Sequence, residues 1–255
     1  MPLHAYPIVQ DVPGFVAFLK SVFGPSHPLK EKELAVGSAG GYHGEVQIGD
    51  SLLMMGGGGA KVSWKGASAP MAFHIYVPDV DAAYARAIGA RAKSLQAPKD
   101  QEWGERTANV KDPFGNNWYI ATFRGATYHS EGAPTIQPYL QPVKSEPVID
   151  FIVKAFDAEE TGRAEMNGAI LHTTVKIAGG AIELADATEE YPPMPGTFYL
   201  YVPNVDASYK QALEAGGTSI YPPTDHDYGD RGAGVKDAFG DTWYLGTPIA
   251  APAAS

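Results

Sequence analysis

Two stretches of the sequence repeat each other and decide the fold: FHIYVPDVDAAYARAIGA, which begins at Phe73, and FYLYVPNVDASYKQALEA, which begins at Phe198. The offset from Phe73 to Phe198 is 125 residues. The same offset aligns KDQEWGER with TDHDYGDR, and VKDPFGNNWYIAT with VKDAFGDTWYLGT. Because about half of the aligned positions are identical, the pattern indicates an internal duplication.

The repeat continues upstream with weaker similarity. HGEVQIGDSLLMM, from His43, matches HTTVKIAGGAIEL, from His172, and FVAFLKSVFG matches VIDFIVKAFD. The offset changes twice along these matches, so the first copy contains two small insertions. One insertion is placed at residues 56–59, where four consecutive glycines predict a flexible loop.

Each copy has the same order of predicted elements. Apolar residues at helical spacing predict a first helix after Pro13 and a second helix that begins at an aspartate cap, Asp81 or Asp206. Short β-rich runs lie between and after the helices, and KDPFGNNW predicts a tight hairpin.

The sequence therefore predicts an α+β protein of two tandem domains, each made of paired βαβββ modules. The first domain is expected over residues 1–123, a linker over 124–134, the second domain over 135–248 and a disordered tail over 249–255.

Composition excludes several classes of protein. The 255 residues carry a net charge of −10 and include no cysteine. The acidic balance argues against a nucleic-acid or anionic-membrane partner, and the absence of cysteine excludes disulfides and thiolate metal ligands. With no signal peptide and no membrane-length apolar run, a cytoplasmic protein is expected.

Paired βαβββ modules that end in a D-P-F-G-x-x-W hairpin resemble the vicinal-oxygen-chelate (VOC) superfamily of glyoxalase, bleomycin-resistance and extradiol-dioxygenase proteins. The motif P-x-D-x-x-W-G-x-R before DPFG is most similar to its PhnB-like branch. The resemblance implies that the strands of each domain form a curved half-barrel sheet with the helices outside and the site on the concave face. Two such sites would form within a monomer by intrachain domain pairing, or in a homodimer.

The resemblance also implies four metal-ligand positions in each copy. They fall on His4, Met54, Ala72 and Tyr119 in the first copy, and on Gln137, Glu183, Thr197 and Tyr244 in the second. A catalytic divalent metal usually needs three or more His, Asp or Glu ligands. These residues predict no catalytic metal, although a divalent metal stays possible with His4 and His74 as candidate ligands, because His74 shares a strand face with Ala72.

Aromatic residues supply the other site candidates. Trp103 and Tyr228 lie on equivalent loops, where an aromatic ring suits stacking on a planar ligand. Trp118 and Trp243 point to the opposite face and are expected in the core. Arg106 and Arg231 are expected to pair with the turn aspartates Asp112 and Asp237. The predicted ligand-binding set is Tyr76, Trp103, Tyr119, Gln137, Glu183, Tyr199, Tyr228 and Tyr244.

Two functions fit these observations. The first is a glyoxalase/bleomycin-resistance-like protein that binds a small, planar or aromatic molecule without a catalytic metal. The second is a divalent-metal-dependent enzyme of the lyase, isomerase or dioxygenase type, in which the metal polarises a substrate oxygen. A scaffold without any ligand is a third possibility.

Overall fold

The computed structural model describes residues 2–37, 40–128, 130 and 132–249, and these contain four helices. The helices are α1 (Val12–Phe23), α2 (Val80–Gly89), α3 (Ser145–Phe156) and α4 (Val205–Glu214). None of them is long and apolar enough to cross a membrane.

The strands follow the predicted modular order. The first half of the chain contains β1 (Leu3–Ala5), β2 (Ile8–Val9), β3 (Leu29–Glu31), β4 (Ala35–Val36), β5 (Tyr42–Ile48), β6 (Ser51–Gly57), β7 (Ala72–Tyr76), β8 (Lys93–Asp100), β9 (Glu105–Lys111) and β10 (Asn117–Phe123). The second half contains β11 (Ile136–Leu140), β12 (Glu159–Met166), β13 (Ala169–Ile177), β14 (Gly180–Leu184), β15 (Thr197–Tyr201), β16 (Thr218–Asp225), β17 (Asp230–Lys236) and β18 (Thr242–Pro248). The predicted α+β class of paired βαβββ modules is confirmed.

The chain divides into two compact units. The N-terminal unit is Ala5–Tyr139, and the C-terminal unit combines Met1–His4 with Leu140–Ser255. Strand pairing explains this composition, because β1 lies beside β15 and β11 lies beside β7. Each unit therefore contains the first strand of the other copy of the repeat.

Within the N-terminal unit, one sheet has the order β2-β6-β5-β3, with β4 also paired to β5, and another has the order β11-β7-β10-β9-β8. Within the C-terminal unit, the corresponding sheets are β12-β13-β14 and β1-β15-β18-β17-β16. In both units the second module contains one parallel pair, β7 with β10 and β15 with β18.

Each tryptophan predicted for the core lies between its sheet and a helix. Trp118 is fully buried, stacks on Phe73 with ring centroids 4.6 Å apart and lies 4.8 Å from the ring of Phe23 in α1. Trp243 is equally buried and lies 4.5 Å from Phe198. Burial of such large rings against α1 and α3 supplies much of the hydrophobic stabilisation of each unit.

The tight hairpin predicted at KDPFGNNW is confirmed, with Gly115 at a positive φ of 99°. The Asp112 carboxylate accepts hydrogen bonds from the backbone amides of Phe114 and Asn116 and from Trp118 Nε1. Asp112 thus stabilises the turn and fixes the tryptophan, and burial raises the pKa of its carboxyl.

Two local predictions are wrong. Helix α2 is capped by Asp79, whose side chain accepts from Ala82 N, so Asp81 lies in the first turn. Helix α4 is likewise capped by Asn204, and Asp206 lies in its first turn. The N-cap is the residue just before the first helical residue. The apolar periodicity of the helix does not show whether that residue is Asp79 or Asp81, since the two lie only two positions apart.

The four consecutive glycines lie only partly in the predicted loop, because Gly58 and Gly59 are outside any strand but Gly56 and Gly57 are not. Gly56 and Gly57 end strand β6, and Gly57 has a φ of +134°. A side chain at Gly57 would collide with the carbonyl oxygen of Val9. Glycine is needed there for close backbone approach.

Candidate functional site

The second-module sheet of each unit has one face packed on helices and one helix-free face. Side chains alternate between the faces, so Phe73 and Ile75 are buried toward the helices while Ala72, His74 and Tyr76 point to the other side. The cross-strand register extends this helix-free face from β7 to the neighbouring strands.

A row of polar side chains crosses the helix-free face of the N-terminal unit. Gln137 pairs in register with His74, His74 with Tyr119, Tyr119 with Asn109, and Asn109 with Gln96. Gln137 and Asn109 are buried. Tyr139 adds an aromatic ring 4.9 Å from that of Tyr119. This face can both stack on a ligand and exchange hydrogen bonds with it.

Glu105 organises one end of this face. Its carboxylate accepts hydrogen bonds of 2.8 Å from both Tyr76 Oη and Trp103 Nε1. Tyr76 is buried and lies 4.5 Å from the His74 ring, whereas Trp103 is 65% exposed. The hydrogen bond therefore fixes the orientation of an indole whose ring is accessible to solvent.

The helix-free face of the C-terminal unit carries mainly tyrosines. Tyr199 pairs in register with Tyr244, Tyr244 with Gly234, and Gly234 with Tyr221. The ring of Tyr221 is stacked with that of Tyr244 at 6.4 Å, and Tyr199 lies 4.9 Å from Tyr201. The row that is polar in the N-terminal unit is thus aromatic here.

Three glycines make room for these rings. A Cβ at Gly234 would lie 2.7 Å from Tyr221 Cε1, and a Cβ at Gly246 would lie 2.4 Å from Tyr199 Oη. A Cβ at Gly232 would lie 3.0 Å from the imidazole of His226. The rings therefore occupy space that side chains at these glycines would otherwise fill.

Asp230 stands where Glu105 stands in the other unit. Its carboxylate accepts a 2.8 Å hydrogen bond from Tyr199 Oη. Tyr228, the counterpart of Trp103, is 62% exposed and stacks on His226 with centroids 4.8 Å apart and planes 9° from parallel. Each unit therefore combines an internal carboxylate with an exposed aromatic ring on the β-hairpin.

Burial raises the pKa of four tyrosine hydroxyls in the C-terminal unit. It raises the pKa of Tyr199, where the hydrogen bond to Asp230 adds to the effect. It also raises the pKa values of Tyr221 and Tyr244. Tyr228 is shifted in the same direction, by burial and then by the Asp230 carboxylate. These rings form an uncharged surface at neutral pH.

Both units contain candidate metal ligands. His4 is buried in the C-terminal unit, with its ring 6.1 Å from that of Tyr201, whereas His74 lies in the N-terminal unit between Gln137 and Tyr119. The buried carboxylate of Glu183 lies 3.7 Å from His172 Nε2. Met54 faces Glu45 across the β5–β6 pair.

The residues at these positions do not fit a divalent metal. Ala72 and Met54 offer no oxygen or nitrogen side-chain ligand, and neither Tyr119 nor Tyr244 replaces a carboxylate. Over residues 2–37, 40–128, 130 and 132–249, no three His, Asp or Glu side chains are grouped so that they could hold a metal ion.

The arginines are structural, but their predicted partners are wrong. Arg106 binds Asp81 with two hydrogen bonds and also Asp100, while Asp112 is committed to its turn. Arg231 binds Asp206 and Asp225 in the same way. These ion pairs tie α2 and α4 to the edge hairpins of their sheets.

Sequence reasoning missed Glu105, Asp230, Tyr201 and Tyr221 as members of these faces. Strands β8 and β16 contain prolines at positions 98, 222 and 223, which argue against a regular strand. Both are edge strands with register shifts at these prolines. The repeat itself carried a usable signal, because Glu105 aligns with Asp230 as an acidic residue beside the arginine that both copies share.

Comparison with known sequences identifies relatives. The family model for the Glyoxalase/Bleomycin resistance protein/Dioxygenase superfamily matches residues 3–120. An uncharacterised protein of Mycobacterium tuberculosis strain H37Rv is 35% identical over 141 residues, which cover 49% of this chain and 81% of the relative. An uncharacterised protein of Mycobacterium bovis is 36% identical over 131 residues, covering 46% and 84%.

Solved structures match over nearly the whole chain. Glyoxalase I from Zea mays gives a TM-score of 0.70 at 16% identity, covering 96% of this chain and 91% of its own. A putative dioxygenase from Bacillus subtilis gives 0.60 at 14% identity, covering 96% and 84%. At these identities the likeness shows the fold alone, and the PhnB-like branch stays a prediction. The modules, the family model and the relatives together show that the chain belongs to the glyoxalase/bleomycin resistance/dioxygenase (VOC) superfamily.

Proposed function

We propose that this protein binds a small planar or aromatic molecule on the helix-free faces of its second-module sheets, without a catalytic metal. One observation carries the proposal: both units present aromatic rings on this face beside an exposed aromatic on the hairpin, Trp103 or Tyr228. Ligand sites are typically lined by apolar and aromatic side chains with a few fixed polar groups.

The contacts around Trp103 support a binding role. A largely exposed indole gains little from burial, yet its Nε1 is held by the buried Glu105 carboxylate, which also holds Tyr76. An aromatic ring fixed in advance loses less side-chain entropy when it stacks on a ligand. The charge and hydrogen-bond pattern therefore favours a preorganised stacking surface.

The metal-free part of the proposal rests on the side chains that stand at the family's metal-ligand positions. Five of the eight positions that hold metal ligands in the family carry Met, Ala, Thr or Tyr here: Met54, Ala72, Tyr119, Thr197 and Tyr244. The remaining three are His4, Gln137 and Glu183. We also propose a cytoplasmic protein, as a monomer or homodimer.

Isothermal titration calorimetry with naphthalene-2,3-diol, a planar probe, tests the binding proposal. We expect saturable binding that weakens about tenfold in W103A or Y228A, since one aromatic pair contributes on the order of 1 kcal/mol. The matched control is M166A, which truncates an exposed apolar residue on β12. Binding that is equally weakened in M166A, or absent in the unmodified protein, contradicts the proposal.

Elemental analysis of protein purified without a tag or chelator tests the metal-free part. Stoichiometric zinc, nickel, manganese or iron that is lost in H4A or E183Q would favour the metal-dependent enzyme instead. A rise in melting temperature with the planar probe but not with divalent cations is the expected result.

A further inference from the structure

We propose that the two helix-free faces select different ligands, and that the residue pair Tyr221–Gly234 makes the C-terminal face a stacking platform for unsubstituted aromatic rings. The N-terminal face carries Gln96 and Asn109 at the same repeat positions and selects ligands that exchange hydrogen bonds. This inference rests on the proposed function and assigns the ligand class of each face.

The aromatic cluster of the C-terminal face is the starting observation. Tyr199, Tyr221 and Tyr244 lie in one cross-strand row, and Tyr201 and His226 flank it. The planes of Tyr221 and Tyr244 are 29° apart. Rings of similar tilt in one row give the face an aromatic character that suits a planar molecule.

Gly234 is what permits this arrangement. It lies in register between Tyr244 and Tyr221, and its missing Cβ would be 2.7 Å from Tyr221 Cε1. Any larger residue at this position would push the tyrosine ring away from the sheet. Tyr221 and Gly234 therefore act as a pair, and neither alone produces the platform.

The N-terminal unit shows the alternative pair. Asn109 occupies the position of Gly234, and Gln96, in register beside it, occupies that of Tyr221. Gln96 Nε2 donates to Thr107 Oγ1 at 3.2 Å, so it lies on the same face. Two neighbouring amides make this part of the face polar where the other unit has a ring and a glycine, so a ligand with polar substituents suits it better than a bare aromatic ring.

The charge state of the platform supports the assignment. Burial raises the pKa values of Tyr199, Tyr221 and Tyr244, so their rings stay neutral well above neutral pH. The hydroxyl of Tyr199 is already donated to Asp230. The Tyr199 hydroxyl is therefore engaged within the protein.

Reciprocal exchange of the two pairs tests the inference. Equilibrium dialysis measures naphthalene, which has no polar group, and naphthalene-2,3-diol. We expect the unmodified protein to bind one naphthalene, Y221Q/G234N to bind it about tenfold more weakly, and Q96Y/N109G to gain a second naphthalene site. Y221F keeps the ring and should retain naphthalene binding, which controls for folding together with the melting temperature.

The possible outcomes distinguish failure of the proposed function from failure of the ligand assignment to each face. If both probes bind but neither exchange changes the naphthalene affinity or stoichiometry, the assignment of faces is wrong and the proposed function stands. If naphthalene binding is lost in W103A and kept in Y221Q, the platform lies in the other unit and the assignment is overturned. If neither probe binds the unmodified protein, both proposals fail.

Discussion

The second-module sheets of the two units are alike on the helix side and different on the helix-free side. On the helix side, Trp118 and Trp243 make equivalent contacts. Each stacks on a phenylalanine, donates its indole N–H to an aspartate and packs against the first helix of its copy. On the helix-free side, the N-terminal unit carries the polar pair Gln96 and Asn109 at the repeat positions where the C-terminal unit carries Tyr221 and Gly234.

This difference shows which constraint acts on each side of a sheet. A core position must match the volume and shape of its neighbours, so both copies keep the same rings. A site position is constrained by what it binds. Under the proposed function, the divergence of the two duplicated faces corresponds to two different ligand requirements.

The largest expected effect concerns the buried tryptophans on the helix side of each sheet, where the two units are alike. W118A and W243A should each lower the free energy of unfolding by about 3–5 kcal/mol, because each removes a fully buried indole. Urea denaturation followed by circular dichroism measures the loss. Effects that differ by more than about 2 kcal/mol between the two variants would show that the helix sides are not equivalent.

A smaller effect is expected at one turn position where the two copies differ, Asn116 in the first and Asp241 in the second. Asn116 Nδ2 donates to Asp112 Oδ2 at 2.9 Å, whereas the matching residue in the C-terminal unit, Asp241, is a buried acid beside Asp237. Burial, and then the neighbouring Asp237 carboxylate, raise the pKa of Asp241 well above its usual range. The folded unit therefore holds a proton that the unfolded chain releases near pH 4.

The sign of the pH dependence follows from the raised pKa. The contribution of Asp241 to stability is fully present below about pH 4 and is lost as the pH rises toward the pKa of the folded state. D241N should therefore increase the free energy of unfolding at pH 7 by about 1–2 kcal/mol and leave it unchanged near pH 3. N116D should have the opposite effect at pH 7. Denaturation at several pH values measures both, and a pH-independent effect of D241N would contradict the explanation.

Glycine substitution on the helix-free face should have a comparable effect that is confined to one unit. G246A places a Cβ against Tyr199 Oη and should cost about 1–3 kcal/mol through overpacking. The matched change A121G removes a buried methyl group and should cost about 1 kcal/mol. Thermal unfolding compares them. A neutral G246A would mean that Tyr199 moves freely, and would weaken the assignment of a fixed platform.

The smallest effects are expected at the exposed ion pairs, which both units share. R106A and R231A should each lower the melting temperature only slightly, because the pairs with Asp81 and Asp206 are solvent-exposed. The decrease should shrink in 1 M salt. Salt-independent losses of equal size would point to packing of the arginine side chains instead.

The sequence predicted the elements whose signals are local. Helical periodicity located α1 to α4, and the turn chemistry of DPFG located the hairpin under Trp118. The cap positions were wrong by two residues because Asp79 and Asp81 are both good capping residues before the same helix. Strands β8 and β16 escaped prediction because Pro98 and Pro222 interrupt their patterns, which an edge strand tolerates.

The sequence by itself determined the duplication, the module order and the buried rings, because each of these repeats in the chain at a fixed offset. Only the tertiary structure decided which strands lie together: His4 is beside Tyr201 in the C-terminal unit, and Gln137 is beside His74 in the N-terminal unit. It also brought Gly234 beneath Tyr221. Cross-strand register joins residues that are distant in the chain, and the pairing energies that select it are spread over whole strands.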